Sequence, residues 1–461
     1  MGDARLRPRT SVAGGAAAIA RFLPQAAHRH EQGRFRCAHA GSRAAAIDSR
    51  SAETPHRRRV LSAVDVIIIN WNGRGDTLAC LEAVFAQTAD VETATVTVVD
   101  NGSKDGSIGA IARKYPQVRL LPLGKNYGFT GGIAAGIARS PGRNVIFLNN
   151  DAVPQPGWLA TLVRAIEDAP ADVTSVGGKI VDMSGQLIDF VGGVMTFDGH
   201  AFQNGFRYPV GSRGEPQSGD ELFFPCGGNM ISRREAFLSL GGFDDDYFAY
   251  LEDVDFGWRS WLAGQRVLYE PRAVVRHTSS ATSIRLGDFE RGVLFERNAL
   301  QTVLKNYEDD LLRNVAGSIF YAYLHRLHHY TTSRNPGAGE LKREPLSAGA
   351  PSRNGFWSRV FRGRRPLATI EDPLTAMQFR AFEWIVTHAD RIADKRAIVQ
   401  RLRRRSDREI FERFPLHVVP TYPGDDALMS SPLFRLLRPD VASVEKNLDE
   451  IMRREPLSPR A

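Results

Sequence analysis

The chain has 461 residues, 43% hydrophobic and 24% charged, the balance of a globular protein with a full core rather than of a disordered chain. No run of about 18 or more apolar residues occurs, so no transmembrane helix is expected. Cys37, Cys80 and Cys226 are too few and too scattered for a disulfide framework or a zinc site, which points to a reducing cytoplasm.

The net charge of +8 is unevenly placed: residues 1–60 hold twelve arginines against four acids, and a second arginine-rich stretch runs from Arg391 to Arg408. Such a balance suits a nucleotide sugar, an acidic membrane surface or nucleic acid, and equally a solvated basic face. Residues 1–60, rich in Ala, Arg, Gly and Ser and without periodicity, read as a disordered basic leader.

Order begins at Val64. The apolar run Val64–Asn70 predicts a strand buried on both faces. Asp76 then caps a predicted helix with Leu78, Leu81, Val84 and Phe85 on one face. Thr93–Asp100 is the second predicted strand, Ser107–Tyr115 the second helix and Val118–Pro122 the third strand. A helix over Ile133–Ala138, a strand over Val145–Asn150 and a helix over Trp158–Asp168 follow. This alternation predicts an α/β fold with a doubly wound, mainly parallel sheet. Residues 183–225, rich in Gly and aromatics, read as a loop region containing a hairpin over the site. A helix is expected from Ile284 to about Lys305. The rest is expected to be a mostly helical C-terminal extension broken by loops at Asn335–Gly339 and Pro351–Gly355.

Ligands of open α/β sheets bind outside the carboxyl ends of the strands. Those ends read Asn70-Trp71-Asn72, Asp100-Asn101-Gly102 and Asn149-Asn150-Asp151. One such end is ordinary turn chemistry; three together favour a polar site. The glycine-rich run Gly124–Gly136 enters a helix and could approach an anionic ligand, although its spacing matches neither a dinucleotide fingerprint nor a P-loop. Asp151 offers a hard cation an oxygen ligand, or caps a helix. Glu252, Asp253 and Asp255 crowd three carboxylates into four positions among aromatics. There a partly dry carboxylate can act as a base, whereas on a surface the same cluster is a solvated helix start. His277 follows the strand-like run Arg272–Arg276, where a lone histidine is more often structural than a ligand.

Seven segments in order carry a resemblance: IIINWNG (67–73), VVDNGSKDGS (98–107), GKNYGFTGGIAAG (124–136), FLNNDAVP (147–154), CGGNMISRREAF (226–237), GGFDDDYFAYLEDVDFGWR (241–259) and VVRH (274–277). Over about residues 64–305 the chain resembles glycosyltransferase family 2, of GT-A fold, and particularly its rhamnosyltransferase-like members. The resemblance implies a Rossmann-like nucleotide-binding half and three regions: a leader over 1–60, a glycosyltransferase domain over 61–305 and an extension over 306–461. It implies donor contacts from Asn70, Asn72, Asp100, Asn126, Gly131, Asn149 and Asn150, with Asp100 facing the pyrimidine. Asp151 and His277 are implied ligands of Mg²⁺ or Mn²⁺, Asp253 the catalytic base and Glu252 the acceptor-holding carboxylate. Trp258 and Arg259 either buttress this segment or simply pack. Asn149 stands where the family's D-x-D motif begins with Asp, so diphosphate oxygens and water are expected to complete a metal site of modest affinity.

The implied reaction is an inverting transfer from a dTDP- or UDP-sugar, rhamnose being one candidate, to a glycan or lipid-linked hydroxyl in cell-surface polysaccharide or glycolipid synthesis. The rivals are a sugar nucleotidyltransferase, disfavoured because Asn70–Arg74 lacks a glycine-rich basic loop, and a non-catalytic nucleotide- or glycan-binding protein. No basic groove interleaved with aromatics argues for nucleic acid. Phe356, Trp357, Val360 and Phe361, interleaved with Arg353, Arg359, Arg362, Arg364 and Arg365, form either a peripheral contact with the inner face of the cell membrane or a solvated face.

Overall fold

The computed structural model describes residues 63–87, 94–212, 214–278, 286–333 and 372–453. The leader, the loops expected at 335–339 and 351–355, and the basic aromatic stretch at 353–365 lie outside them.

The first half alternates as the apolar pattern predicts: β1 (Val64–Asn70), α1 (Arg74–Phe85), β2 (Ala94–Asp100), α2 (Ser107–Lys114), β3 (Arg119–Pro122), α3 (Gly128–Ile137), β4 (Asn144–Asn149), β5 (Ala152–Pro154) and α4 (Trp158–Asp168). Next come β6 (Val173–Asp182), β7 (Ile188–Phe190), the β8 (Gly193–Met195) and β9 (Ala201–Gln203) hairpin, β10 (Asn229–Arg233), α5 (Arg234–Ser239), α6 (Glu252–Leu262) and β11 (Arg266–His277). The main sheet runs β3-β2-β1-β4-β10-β6-β11-β5, with β7 paired to β6. Strands β3, β2, β1 and β4 are parallel, and β6 is parallel to β11; β10 and β5 run against them.

Side chains alternate across each strand, so the continuous apolar runs feed two cores. Val66, Ile68, Val98 and Leu148 face α1 and α4, whereas Ile67, Val99 and Phe147 face α3, α5 and α6. Most boundaries fall within a residue of the sequence expectation, the helix expected from Ile284 starts at Asp288, and two helix starts beside the strand ends differ in kind. Helix α1 starts at Arg74, so Asp76 lies in its first turn, where the helix dipole favours an acid, instead of capping it. Helix α3 starts at Gly128, taking in most of the glycine-rich run. Its Gly132 and Gly136 let the helix lie directly on Ile69 and Ile67.

The remaining helices are α7 (Asp288–Asn306), α8 (Asp309–Ser333), α9 (Pro373–Thr387), α10 (Ala389–Leu402), α11 (Asp407–Arg413), α12 (Asp425–Ser430), α13 (Pro432–Leu437) and α14 (Leu448–Ile451), with a small parallel pair β12 (Leu416–Val418) and β13 (Ser443–Glu445). Most of them share the main core, while Leu448 and Ile451 of α14 form a small cluster with Val419. Phe411 packs on Trp258 and Tyr307, Phe414 on Trp261, and Phe434 on Phe197. Trp258 is thus a packing residue whose Nε1 donates to Asp407 at 3.2 Å, and Arg259 is spent on Asp255 and two backbone carbonyls.

Candidate active site

A cleft of about 410 Å³ opens at the carboxyl ends of β1, β2 and β4, roofed by the loop before α6 and flanked by β7 and β9. Its wall includes Asn126, Asn149, Asn150, Asp151, Glu252, Asp253 and His277, so seven of the eleven residues singled out from sequence meet in one place.

The other four lie one layer back. Asn70 and Asp100 are both fully buried. The Asn70 amide donates to Asp100 Oδ2 at 2.7 Å and to Ser103 Oγ at 3.0 Å, while its Oδ1 accepts from Gly73 N and Thr77 Oγ1. Asp100 Oδ1 accepts from Ser103 N. Both side chains are consumed in tying adjacent strand ends together, as the in-register pairing of Asn70 with Asp100 dictates. Asn72 pins the neighbouring loop through Ser103 and Lys104. Gly131 sits within α3 against Tyr127. Asn101, which pattern alone did not single out, lines the cleft instead, and its amide donates to Gly128 O at 2.9 Å.

On one wall, His277 ends β11 and stands between two carboxylates. Its Nε2 is 3.0 Å from Asp151 Oδ1 and its Nδ1 is 2.8 Å from Asp189 Oδ2. Burial opposes a charged imidazolium, but the hydrogen bonds and charges of Asp151 and Asp189 outweigh it and hold the His277 pKa up at about 10. Asp189 comes from β7, inside the region that sequence left as loop, and its partner lies 88 positions away. Asn149 Nδ2 lies 3.3 Å from the same Nε2.

Opposite this wall, Glu252 and Asp253 begin α6. Asp253 accepts from Gly227 N at 3.1 Å and Val254 N at 2.9 Å. Burial nevertheless pushes its pKa up to about 6. Glu252 is 7% exposed and is held well above the usual carboxylate range by burial and then by the Asp253 charge; its Oε2 has no hydrogen-bond partner. Asp255, the third acid of the cluster, turns away from the cleft to Arg259, Lys305 and Asn306. The turn Cys226–Asn229 bridges the two walls, because Gly227 N reaches Asp253 and Gly228 O accepts from Asn149 N at 3.1 Å. A Cβ on Gly228 would stand 2.6 Å from Asn149 Nδ2, so a side chain there would push Asn149 out of its place.

The cleft's described lining holds four carboxylates, Asp151, Asp189, Glu252 and Asp253, and neither lysine nor arginine. A second acidic group, Asp244 to Asp246, is already neutralised by Lys305, Lys395 and Arg391.

Residues 65–241 match the family profile described as Glycosyl transferase family 2. The chain is 33% identical over 207 residues to the N-acetylglucosaminyl-diphospho-decaprenol L-rhamnosyltransferase of Mycobacterium tuberculosis, a match covering 40% of this chain and 66% of that protein, just under two thirds of its length. It is 30% identical over 229 residues to an O-antigen biosynthesis protein of Myxococcus xanthus, covering 47% of this chain and 17% of the other. Among solved structures, GalNAc-T7 with UDP, GalNAc and Mn2+ superposes with a TM-score of 0.45 at 16% identity, over 58% of this chain and 52% of that one. The profile match and the curated relatives agree with the ordered motifs and with the cleft they build: residues 65–241 form a glycosyl transferase family 2 domain.

Proposed function

We propose that the protein transfers a sugar from a nucleotide-diphosphate donor to a glycan or lipid-linked hydroxyl, in a single displacement with inversion, in polysaccharide or lipid-linked glycan synthesis. The observation that carries this reading is the charge of the cleft. A diphosphate entering a pocket lined by four carboxylates and no described lysine or arginine needs a bridging cation. Asp151 and His277, whose Oδ1 and Nε2 stand 3.0 Å apart on the cleft wall, would hold one once the ring gives up its proton. Bound there, Mg²⁺ or Mn²⁺ would supply charge to stabilise a departing diphosphate.

The chain's own residues then divide the work. Asn101, Asn149 and Asn150 at the strand ends and Asn126 in the loop before α3 offer hydrogen bonds to the donor, while Asn70, Asn72, Asp100 and Gly131 shape that floor from behind. Glu252 orients the acceptor hydroxyl. Asp253 takes its proton as the oxygen bonds to the anomeric carbon, and the bond to the diphosphate breaks with its electron pair. The extension over 306–461 acts as a support of the 61–305 domain. Among the described residues no helix is long and apolar enough to cross a membrane. Contact with the inner face of the cell membrane rests on the basic aromatic stretch 353–365.

A panel of dTDP- and UDP-sugars, dTDP-rhamnose included, tests the reading when nucleoside diphosphate release is measured with candidate acceptors, with and without EDTA. Release from one donor, abolished by EDTA and restored by Mg²⁺ or Mn²⁺, is expected. Pyrophosphate release instead would make the protein a nucleotidyltransferase.

Asp189 acts through His277, fixing the ring so that Nε2 faces Asp151. Removal of such a supporting carboxylate typically costs about 10–100-fold in metal affinity. Asp189→Asn is therefore expected to raise the Mg²⁺ or Mn²⁺ dissociation constant by that factor in calorimetric titration, with nucleotide affinity in saturating metal little changed. An unaltered metal titration would remove Asp189 from this role.

A further inference from the structure

The segment before α6 holds an improbable backbone. Phe248, Tyr250 and Leu251 have φ of 63°, 70° and 63°, and none is a glycine. Ala249 N donates to Tyr247 O at 2.7 Å across Phe248, closing a tight three-residue turn at φ 63°, ψ −59°. Side chains resist such conformations, which persist only where the surroundings over-determine them. The turn also leaves backbone carbonyls without partners in any regular ladder, and buried carbonyls need them.

One side chain supplies those partners. Asn298 of α7 is fully buried, and its Nδ2 donates to Tyr247 O at 3.0 Å, Ala249 O at 2.8 Å and Tyr250 O at 2.8 Å. Gln301 Nε2 donates to Asn298 Oδ1 at 2.8 Å, which orients the amide with its nitrogen toward the loop. Arg297 adds a bond from Nη2 to Asp246 O at 2.8 Å. From the other side, Thr130 N on α3 donates to Phe248 O at 3.2 Å. Residues Phe248 to Asp253 all line the cleft, whereas Asn298 does not.

We propose that Asn298 is a positioning residue that holds the strained 247–251 turn and thereby sets Glu252 and Asp253 in place. This rests on Asp253 being the base. It extends the site to a helix outside the matched stretch 65–241, where no carboxylate, histidine or glycine motif draws notice. Misplacing a reacting group by about 1 Å can cost about 10²-fold. The strand ends that hold the donor make no bond to Asn298, so donor affinity is not at stake.

Two variants test this: Asn298→Ala, and Asn298→Asp, which keeps the shape but has no N–H to donate. Turnover at saturating substrates is expected to fall about 100-fold, with the dissociation constant for nucleoside diphosphate in Mg²⁺ within about threefold and amide hydrogen exchange at residues 247 and 249 accelerated at least about tenfold. Wild-type turnover in a folded variant overturns the proposal, as does equal loss of nucleotide affinity and turnover, the pattern of general damage. Should both variants unfold, exchange in the wild-type protein decides: amides 247 and 249 as protected as those of α7 support the clamp, and rapid exchange there sinks it. Asp253→Asn is run alongside. If that variant keeps its turnover, the base assignment has failed; if it alone loses turnover, only the clamp has failed.

Discussion

Asp253→Asn is expected to bind nucleotide and metal almost as the wild type does and to lose about 10²–10⁴ of its turnover, the usual worth of a positioned base. The substitution keeps the volume and an acceptor oxygen for Gly227 N, so the turn that bridges the two walls is expected to survive. The single amide oxygen keeps one of the two bonds that Asp253 accepts, from Gly227 N or from Val254 N, and the ability to take a proton is lost. The pH profile supplies an independent check. Burial lifts the Asp253 pKa to about 6, and a base works only when deprotonated. The rate is therefore expected to rise with pH up to about 6 and level off above it, and the acid limb should vanish from the residual activity of the variant. Near-normal turnover, or an acid limb that persists unchanged, would move the base elsewhere.

Arg326→Met is expected to produce the largest loss of stability, about 3–5 kcal/mol, because it strips the partner from buried charges. Arg326 on α8 is 1% exposed. It donates to Asp425 from Nε and Nη2, both at 3.0 Å, and to Asp198 from Nη1 at 2.8 Å. Asp425 in turn caps the turn at Thr421 and Tyr422, and Asp198 pairs with His200 at 3.1 Å. The guanidinium thus joins α8, the β8–β9 hairpin and α12. Methionine fills much of the space but leaves the buried Asp425 and Asp198 carboxylates without the guanidinium. Denaturant unfolding at pH 7 measures the effect, and limited proteolysis after residue 414 should localise it. A change below about 1 kcal/mol would place the cluster among ion pairs that merely break even. The same cluster carries a pH signature. His200, opposed by burial but raised by Asp198 and Glu296, sits at about 9 in the fold. Its contribution is full below its ordinary value of about 6.5 and is lost as pH rises through about 9.

The two halves of the site were unequally legible in the chain. Strands β1, β2 and β4 announce themselves as largely apolar runs that stop in Asn or Asp, since a parallel strand buried on both faces carries few polar positions before the loop, Asp65 and Thr97 being the buried exceptions. The alternation of these runs with helices places their ends side by side, so the location of the cleft followed from sequence. So did the crowding of Glu252 and Asp253, a local fact of spacing.

What sequence could not rank was which polar strand-end residue faces the cleft and which is spent inside. Asn70 and Asn149 look alike as letters, yet the central position of β1 makes Asn70 a hub among Asp100, Ser103, Thr77 and Asn150, and leaves Asn149 on the cleft wall. Asp189 and Asn298 carried no local signal. Their partners are 88 and about 50 positions away in sequence, and only the sheet order and the packing of α7 bring them together. Sequence by itself determined the strands, their polar ends and the acidic start of α6, because those are matters of periodicity and spacing. The tertiary structure alone decided the pairing of His277 with Asp189, the clamp on the strained turn and the burial that raises Asp253, because each depends on contacts between distant segments and on the water they exclude.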